Sequence, residues 1–147
     1  MSGAALKPFA LFAELGDAER DELADLLEER DLSNGETLFE EGDDSDALVL
    51  VLSGRIEVAS RRKRETISIG AGGTVGALSL FTLGARATTV VGAEESELRL
   101  LRREEFLRFA EDHPRPAFRV AAAVAAEVAQ HARAAVSDSV DPTEHGE

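Results

Sequence analysis

Arg86 is the one charged residue in "VGALSLFTLGARATTVV", Val75 to Val91. Its neighbours are small or apolar, and an unpaired buried charge is very costly. Arg86 therefore reaches solvent, pairs with an acid of this chain, or binds an anionic ligand. The last option would be charge-assisted recognition, the strongest kind of hydrogen bonding available to a side chain. Two other charge clusters stand out. "EEGDDSD", Glu40 to Asp46, has the composition of a calcium loop but lacks the later glutamate and the ligand spacing. "RRKR", Arg61 to Arg64, suits a solvated hairpin tip or a contact for a phosphate or a partner. With no cysteine, thiolate metal sites, iron–sulfur clusters, disulfides and cysteine nucleophiles all drop out. His113, His131 and His145 lie outside the strand-rich region, so no strand histidine can ligate a metal there. No serine or threonine has a histidine at a spacing that suggests a triad. The chain is expected not to be an enzyme, and no metal site is expected.

The elements that must position Arg86 can be bounded. A chain of 147 residues with 44% hydrophobic content makes one ordinary domain with a real core. No apolar run approaches membrane-spanning length, and "MSGAALKPFALF" does not read as a signal peptide. A soluble, cytoplasmic protein without membrane contact is expected. The net charge of −13 is uneven. Residues 1–60 hold 16 acidic and 4 basic side chains, a net −12, and residues 61–147 hold 13 and 12, a net −1. Such a field repels a nucleic-acid backbone, so no direct nucleic-acid partner is expected.

"GDAERDELADLLEERD" follows "PFALFAEL" and places Leu15, Leu23, Leu26 and Leu27 at helical spacing with acids opposite. Gly16 or Asp17 can cap that helix. From Leu32 the texture becomes strand-like. "SNGE" signals a turn, "TLFEEG" a short strand and "GDDSD" a polar loop. "ALVLVL" reads as a buried strand, and "SGRIEVAS", "ETISI" and "SELRLL" as alternating strands. "RREEFLRFAEDH" is helical and breaks at Pro114 and Pro116, before the alanine-rich "AFRVAAAVAAEVAQHARAAV". The expected fold class is α+β: an antiparallel β-roll, or jelly-roll-like barrel, flanked by an N-terminal helix and two C-terminal helices. Residues 1–136 would form the single domain and 137–147 a disordered acidic tail.

"NGETLFEEGDDSDALVLVLSGRIEV" resembles the first half of a cyclic nucleotide-binding domain, the family of catabolite activators and kinase regulatory subunits. The glycine–glutamate turn, the acidic "EGD" loop, the apolar strand and the Ser-Gly hinge occur in that family's order. The resemblance covers roughly Pro8 to Val136. It places Val75–Val91 at the family's phosphate-binding cassette. There a glycine allows close backbone approach, a short helix aims N–H groups at the cyclic phosphate, and an arginine pairs with that phosphate. By this resemblance Gly76 is the glycine, Leu78 to Leu83 the short helix and Arg86 the arginine. Ala87 is alanine as in cAMP-preferring members, and Thr88 and Thr89 open the next strand with hydroxyls. The implied ligand-binding set is Gly76, Ala77, Leu78, Arg86, Ala87 and Thr88.

The cassette departs from the family at two places. Val75-Gly76-Ala77 replaces phenylalanine-glycine-glutamate, which removes the acceptor for the ribose 2′-hydroxyl, and Ala85 replaces the usual proline. A hydrogen bond to a charged group contributes about 1.5–3 kcal/mol, so its loss weakens a nucleotide by roughly 10- to 100-fold. Weak binding of a cAMP-like nucleotide or a related anion is expected, with no other cofactor.

Activator-type members carry a DNA-binding domain after the long last helix. Only about eleven residues follow Val136, so the resemblance implies a stand-alone sensor that acts through a protein partner. Val120, Val124 and Val128 with intervening alanines make the last helix apolar on most sides, which suggests a homodimer through it, as activator-type members assemble. Two alternatives stay open. One is a degenerate member without a ligand that serves as an interaction or dimerisation module. The other is an enzyme on a cupin-like barrel, against which the missing strand histidines count.

Overall fold

The computed structural model describes residues 1–139. Two 3-10 turns, Gly3–Leu6 and Ala10–Phe12, lead into helix α1, Asp17–Leu26. Eight strands follow: β1 Glu28–Leu32, β2 Thr37–Phe39, β3 Ala47–Ser53, β4 Arg55–Ser60, β5 Glu65–Gly70, β6 Thr74–Val75, β7 Thr89–Gly92 and β8 Ser96–Arg102. A third 3-10 turn, Ala77–Leu80, lies between β6 and β7. Helices α2, Arg103–Asp112, and α3, Pro114–Ser139, complete the described chain. The strands form two antiparallel four-stranded sheets, ordered β1-β8-β3-β6 and β2-β7-β4-β5. This is the expected α+β roll with one helix before it and two after it.

The register of β3 explains why its sequence is apolar without interruption. Leu48 and Leu50 point to a core shared with the 3-10 turns and helices, beside Phe12, Leu23, Phe106 and Val120. Ala47, Val49 and Val51 point into the roll, beside Ile56, Val90 and Leu98. A strand covered on both faces needs apolar residues at every position. Each buried leucine or valine of this kind contributes about 1.5–3 kcal/mol. Arg61 to Arg64 form the turn between β4 and β5, where the sequence places a hairpin tip.

Five boundaries differ from the sequence reading. The N-terminal helix stops at Leu26, and "EERDL" is strand β1, not the end of the helix. β1 is an edge strand bonded only to β8, and Leu32 alone among its residues is buried. Charged side chains on an edge strand discourage pairing with other chains, and they mimic an exposed helical face in sequence. Pro114 and Pro116 do not separate two helices by a loop. His113 alone makes the break, and both prolines sit in the first turn of α3, where a missing N–H costs nothing. The short cassette helix is the 3-10 turn Ala77–Leu80, not Leu78 to Leu83. Thr88 precedes β7, which begins at Thr89. Of the tail expected over 137–147, Ser137 to Ser139 belong to α3, and residues 140–147 lie outside the described residues.

Arg20 carries a structural role that nothing in "GDAERDEL" signals. It is 4% exposed. Its Nη1 donates to the carbonyls of Phe12 at 3.2 Å, Ala13 at 3.3 Å and Leu15, and its Nη2 donates to Asp17 Oδ1 at 2.7 Å. One guanidinium thus gathers three carbonyls where the second 3-10 turn ends, and that of Phe12 also accepts the Leu15 N–H at 3.2 Å. On the far side of that junction, the Gly16 N–H is accepted by Glu19 Oε1 at 2.8 Å, which caps α1.

Candidate functional site

Backbone pairing fixes where Arg86 emerges. The acidic loop after β2 runs beside residues 84–86. Arg86 N–H donates to the Asp43 carbonyl at 2.7 Å, Gly42 N–H to the Arg86 carbonyl at 2.9 Å, and Ser45 N–H to the Gly84 carbonyl at 2.9 Å. The acids of this loop work elsewhere. Asp43 Oδ2 accepts from the Glu40 N–H at 2.9 Å, and Asp46 binds Arg102 at 3.1 Å. Among the described residues, no group of three or more His, Asp or Glu is placed to hold a metal ion. The "EEGDDSD" acids serve as a backbone template and as partners for the start of α2.

Arg86 is buried at 7% exposure, yet no carboxylate lies within ion-pair distance of it among the described residues. Its Nη2 donates to the Ala47 carbonyl at 2.9 Å, and its Nη1 to Ser79 Oγ at 3.3 Å. Its guanidinium carbon stands 4.0 Å from the centroid of the Phe39 ring, a cation–π contact. Ser79 Oγ is also hydrogen-bonded to Ser45 Oγ. The buried Nε–H has no acceptor. Burial pulls the guanidinium pKa down from its ordinary value. Asp46 raises it, Arg102 lowers it and Asp43 raises it. An arginine keeps its charge against such shifts. The in-chain partners of Arg86 are thus all neutral, and its positive charge is left uncompensated at contact range.

Gly76 opens the cassette turn with φ 79° and ψ 35°, in the left-handed region. A Cβ there would lie 2.5 Å from Arg86 Nη1. Gly76 is the position over which the guanidinium lies. The turn that follows buries Ser79 and Leu80 and leaves Leu78 half exposed. Arg103, at the start of α2, holds the turn from behind. Its Nη1 donates to the carbonyls of Ser45 at 3.0 Å, Ser79 at 2.8 Å and Thr82 at 2.8 Å.

A cavity of about 480 Å³ opens above this arrangement, within the size range of small-molecule sites. Gly76, Ala77, Leu78, Arg86, Ala87 and Thr88 all line it. The structure therefore brings the six residues together around one space. Two groups of lining residues were not legible in the cassette sequence. Phe39 and Ser79 meet the guanidinium. Val124, Glu127, Val128 and His131 form a wall contributed by α3. Phe39 could have been suspected as the last apolar residue before the acidic loop. The α3 wall could not, because it depends on how the helix lies across the roll. Chemically, the site can hold a compact anion against Arg86 and enclose the rest of a ligand under α3.

Comparison with known proteins is consistent with this geometry. Residues 29–113 match the family model described as cyclic nucleotide-binding domain. The chain is 33% identical over 104 residues to a lysophospholipase, nte1, of Neurospora crassa, covering 68% of this chain and 7% of that protein. It is 31% identical over 124 residues to the cyclic AMP receptor protein of Thermus thermophilus, covering 82% of this chain and 57% of that one. Among solved structures, the N-terminal domain of a transcriptional regulator from Streptomyces coelicolor superimposes with a TM-score of 0.77 at 29% identity, covering 88% of this chain and 94% of that chain. The chain thus spans only a small part of the lysophospholipase and little more than half of the receptor protein. On the family match and the shared fold, the chain belongs to the cyclic nucleotide-binding domain family.

Proposed function

We propose that this chain is a regulatory sensor module that binds a cyclic nucleotide of the cAMP kind, or a related anion, weakly through Arg86 and signals through a protein partner. The observation that carries this reading is the uncompensated guanidinium of Arg86 at a cavity under α3. Binding rather than catalysis is the role this geometry supports, since the cavity walls bring one carboxylate and one histidine, both from α3, beside an arginine. Among the described residues, no helix is long and apolar enough to cross a membrane. With the acidic first half of the chain, this supports a cytoplasmic module without direct nucleic-acid or membrane contact. Titration of the pure protein with cAMP, cGMP, cyclic dinucleotides and phosphate, read by melting temperature, tests the reading. The absence of a shift with every one of them overturns it.

The neutral partners of Arg86 favour a second reading. Ala47, Ser79 and Phe39 hold the guanidinium without any ligand, as a ligand-free interaction module would need. Ala77 separates the two. Ala77→Glu puts an acceptor on the cavity wall next to Gly76. It is expected to tighten cAMP by roughly one to two orders of magnitude, the effect of a hydrogen bond to a charged group. Isothermal titration of the variant and the wild type measures this. An unchanged affinity would mean that the pocket is not shaped for a ribose at that wall.

The proposed assembly is a homodimer through α3. Phe118, Ala122, Ala125 and Ala132 are exposed and Ala129 is partly exposed. Their spacing of four, three, four and three residues is that of a helix–helix seam. Phe118 is 71% exposed, an unusual position for so large an apolar side chain. Ala125→Glu places a charge in the middle of this seam and is expected to convert a dimer to a monomer in sedimentation at tens of micromolar. A wild type that sediments as a monomer would overturn the assembly, and so would a variant that assembles unchanged.

A further inference from the structure

The large apolar side chains that remain exposed are not scattered. Among the described residues there are eight, and four of them line the one cavity that holds Arg86: Ile67 at 51% exposure, Leu78 at 50%, Leu83 at 83% and Val128 at 42%. They come from β5, the cassette turn, the segment after it and α3. Single exposed apolar residues are ordinary, but a cluster around a concavity marks a binding surface. Further in, Val58, Ile69, Val75, Ala77 and Val124 continue the apolar lining. The hydroxyls of Ser45 and Ser79 are engaged with each other and with Arg86, and Thr82 Oγ donates to the Leu78 carbonyl.

We infer that the preferred ligand of this cavity is an amphiphilic monoanion, with a compact carboxylate-sized head at Arg86 and an apolar body along these walls. The inference rests on the proposed role of Arg86 as the anion site and names the class of ligand that the site takes. The head meets the unmatched positive charge of Arg86. The body replaces water on valine, leucine and isoleucine surface, a gain in proportion to the apolar area covered. A polyhydroxylated body would lose its hydration against the apolar walls and find polar side chains there, besides Arg86 and the engaged hydroxyls, at Thr74, Thr88, Glu127 and His131. Glu127 is the carboxylate among the lining residues, and it disfavours a second negative charge on the ligand.

A series of straight-chain carboxylates from acetate to decanoate, each below its micelle concentration, tests this by isothermal titration against the full chain. Affinity is expected to rise about threefold to fourfold with each methylene until the cavity is filled. Octanoate is expected to bind more tightly than cAMP and far more tightly than neutral octanol. Arg86→Ala should remove octanoate binding. The double variant Leu83→Ser, Val128→Ser changes two exposed residues that the fold does not need. It should flatten the series while leaving acetate unchanged. A flat series in the wild type, or octanol binding as tightly as octanoate, overturns the inference. If cAMP binds through Arg86 while the carboxylates do not, the amphiphile is wrong and the sensor reading stands. If no anion binds in an Arg86-dependent way, both fall.

Discussion

Arg86→Ala is expected to lower the affinity of any anionic ligand of the cavity by about two orders of magnitude or more, while the melting temperature of the free protein moves by less than about 5 °C. The first effect follows from the guanidinium. It can make two charge-assisted hydrogen bonds to one anion, each contributing about 1.5–3 kcal/mol. The second follows from opposing terms in the free protein. Truncation leaves the Ala47 carbonyl without its donor, at a cost of about 1–3 kcal/mol, and removes the contact with Phe39, about 1–2 kcal/mol. It also relieves the desolvation of a charge that no carboxylate contacts, which is several kcal/mol for a buried ion. The terms nearly cancel. Thermal melts with and without ligand measure both effects on one sample. A fall of 10 °C in the free variant would show that Arg86 chiefly braces the cassette.

The largest loss of stability is expected at Arg20, far from the cavity. Arg20→Ala removes a donor from three carbonyls; the bonds to Phe12 and Leu15 are buried, and the Phe12 carbonyl keeps the Leu15 N–H. Each buried acceptor left unmet costs about 1–3 kcal/mol. A loss of about 2–5 kcal/mol is a large part of the 5–15 kcal/mol that holds an ordinary domain together. For a chain of this size it lowers the melting temperature by roughly 10 °C. Arg20→Lys should recover only part of it, because an ammonium on a flexible stem lacks the planar fork that spreads over separated acceptors. Denaturant titration of the three proteins gives the comparison. An Arg20→Ala variant within about 2 °C of wild type would mean that water reaches those carbonyls.

Period and punctuation carried most of the fold. The alternation in "RIEVAS", the unbroken "ALVLVL" and the turn at "SNGE" each reflect a burial pattern that a strand imposes on its own residues. Where the reading failed, the deciding partner was distant in sequence. "EERDL" is a strand because β8 bonds it, and its side chains face water as a polar helix face would. The prolines that open α3 look like a break because sequence marks a helix start and a helix end with the same residue. In the site, the order of the cassette was readable because it is contiguous from Gly76 to Thr88. The neutral partners of Arg86 were not, because Phe39, Ala47 and Ser79 reach it from β2, β3 and the cassette turn. In sequence, an ion pair between Arg86 and an acid of this chain stays open. The backbone instead turns Asp43 and Asp46 toward other donors.

Arg103 Nη1 has two hydrogens and three carbonyl oxygens within 3.0 Å. Demand exceeds supply at that nitrogen, so the hydrogens must be shared among Ser45, Ser79 and Thr82. A bond network with a surplus of acceptors behaves as a sliding joint rather than a rivet. As one oxygen recedes, the others take up the hydrogen, and the energy changes gradually instead of passing a barrier set by complete rupture. The loop after β2, the cassette turn and the first residue of α2 meet at this joint. A shift of the turn by a few tenths of an ångström is therefore accommodated there by re-partitioning hydrogens.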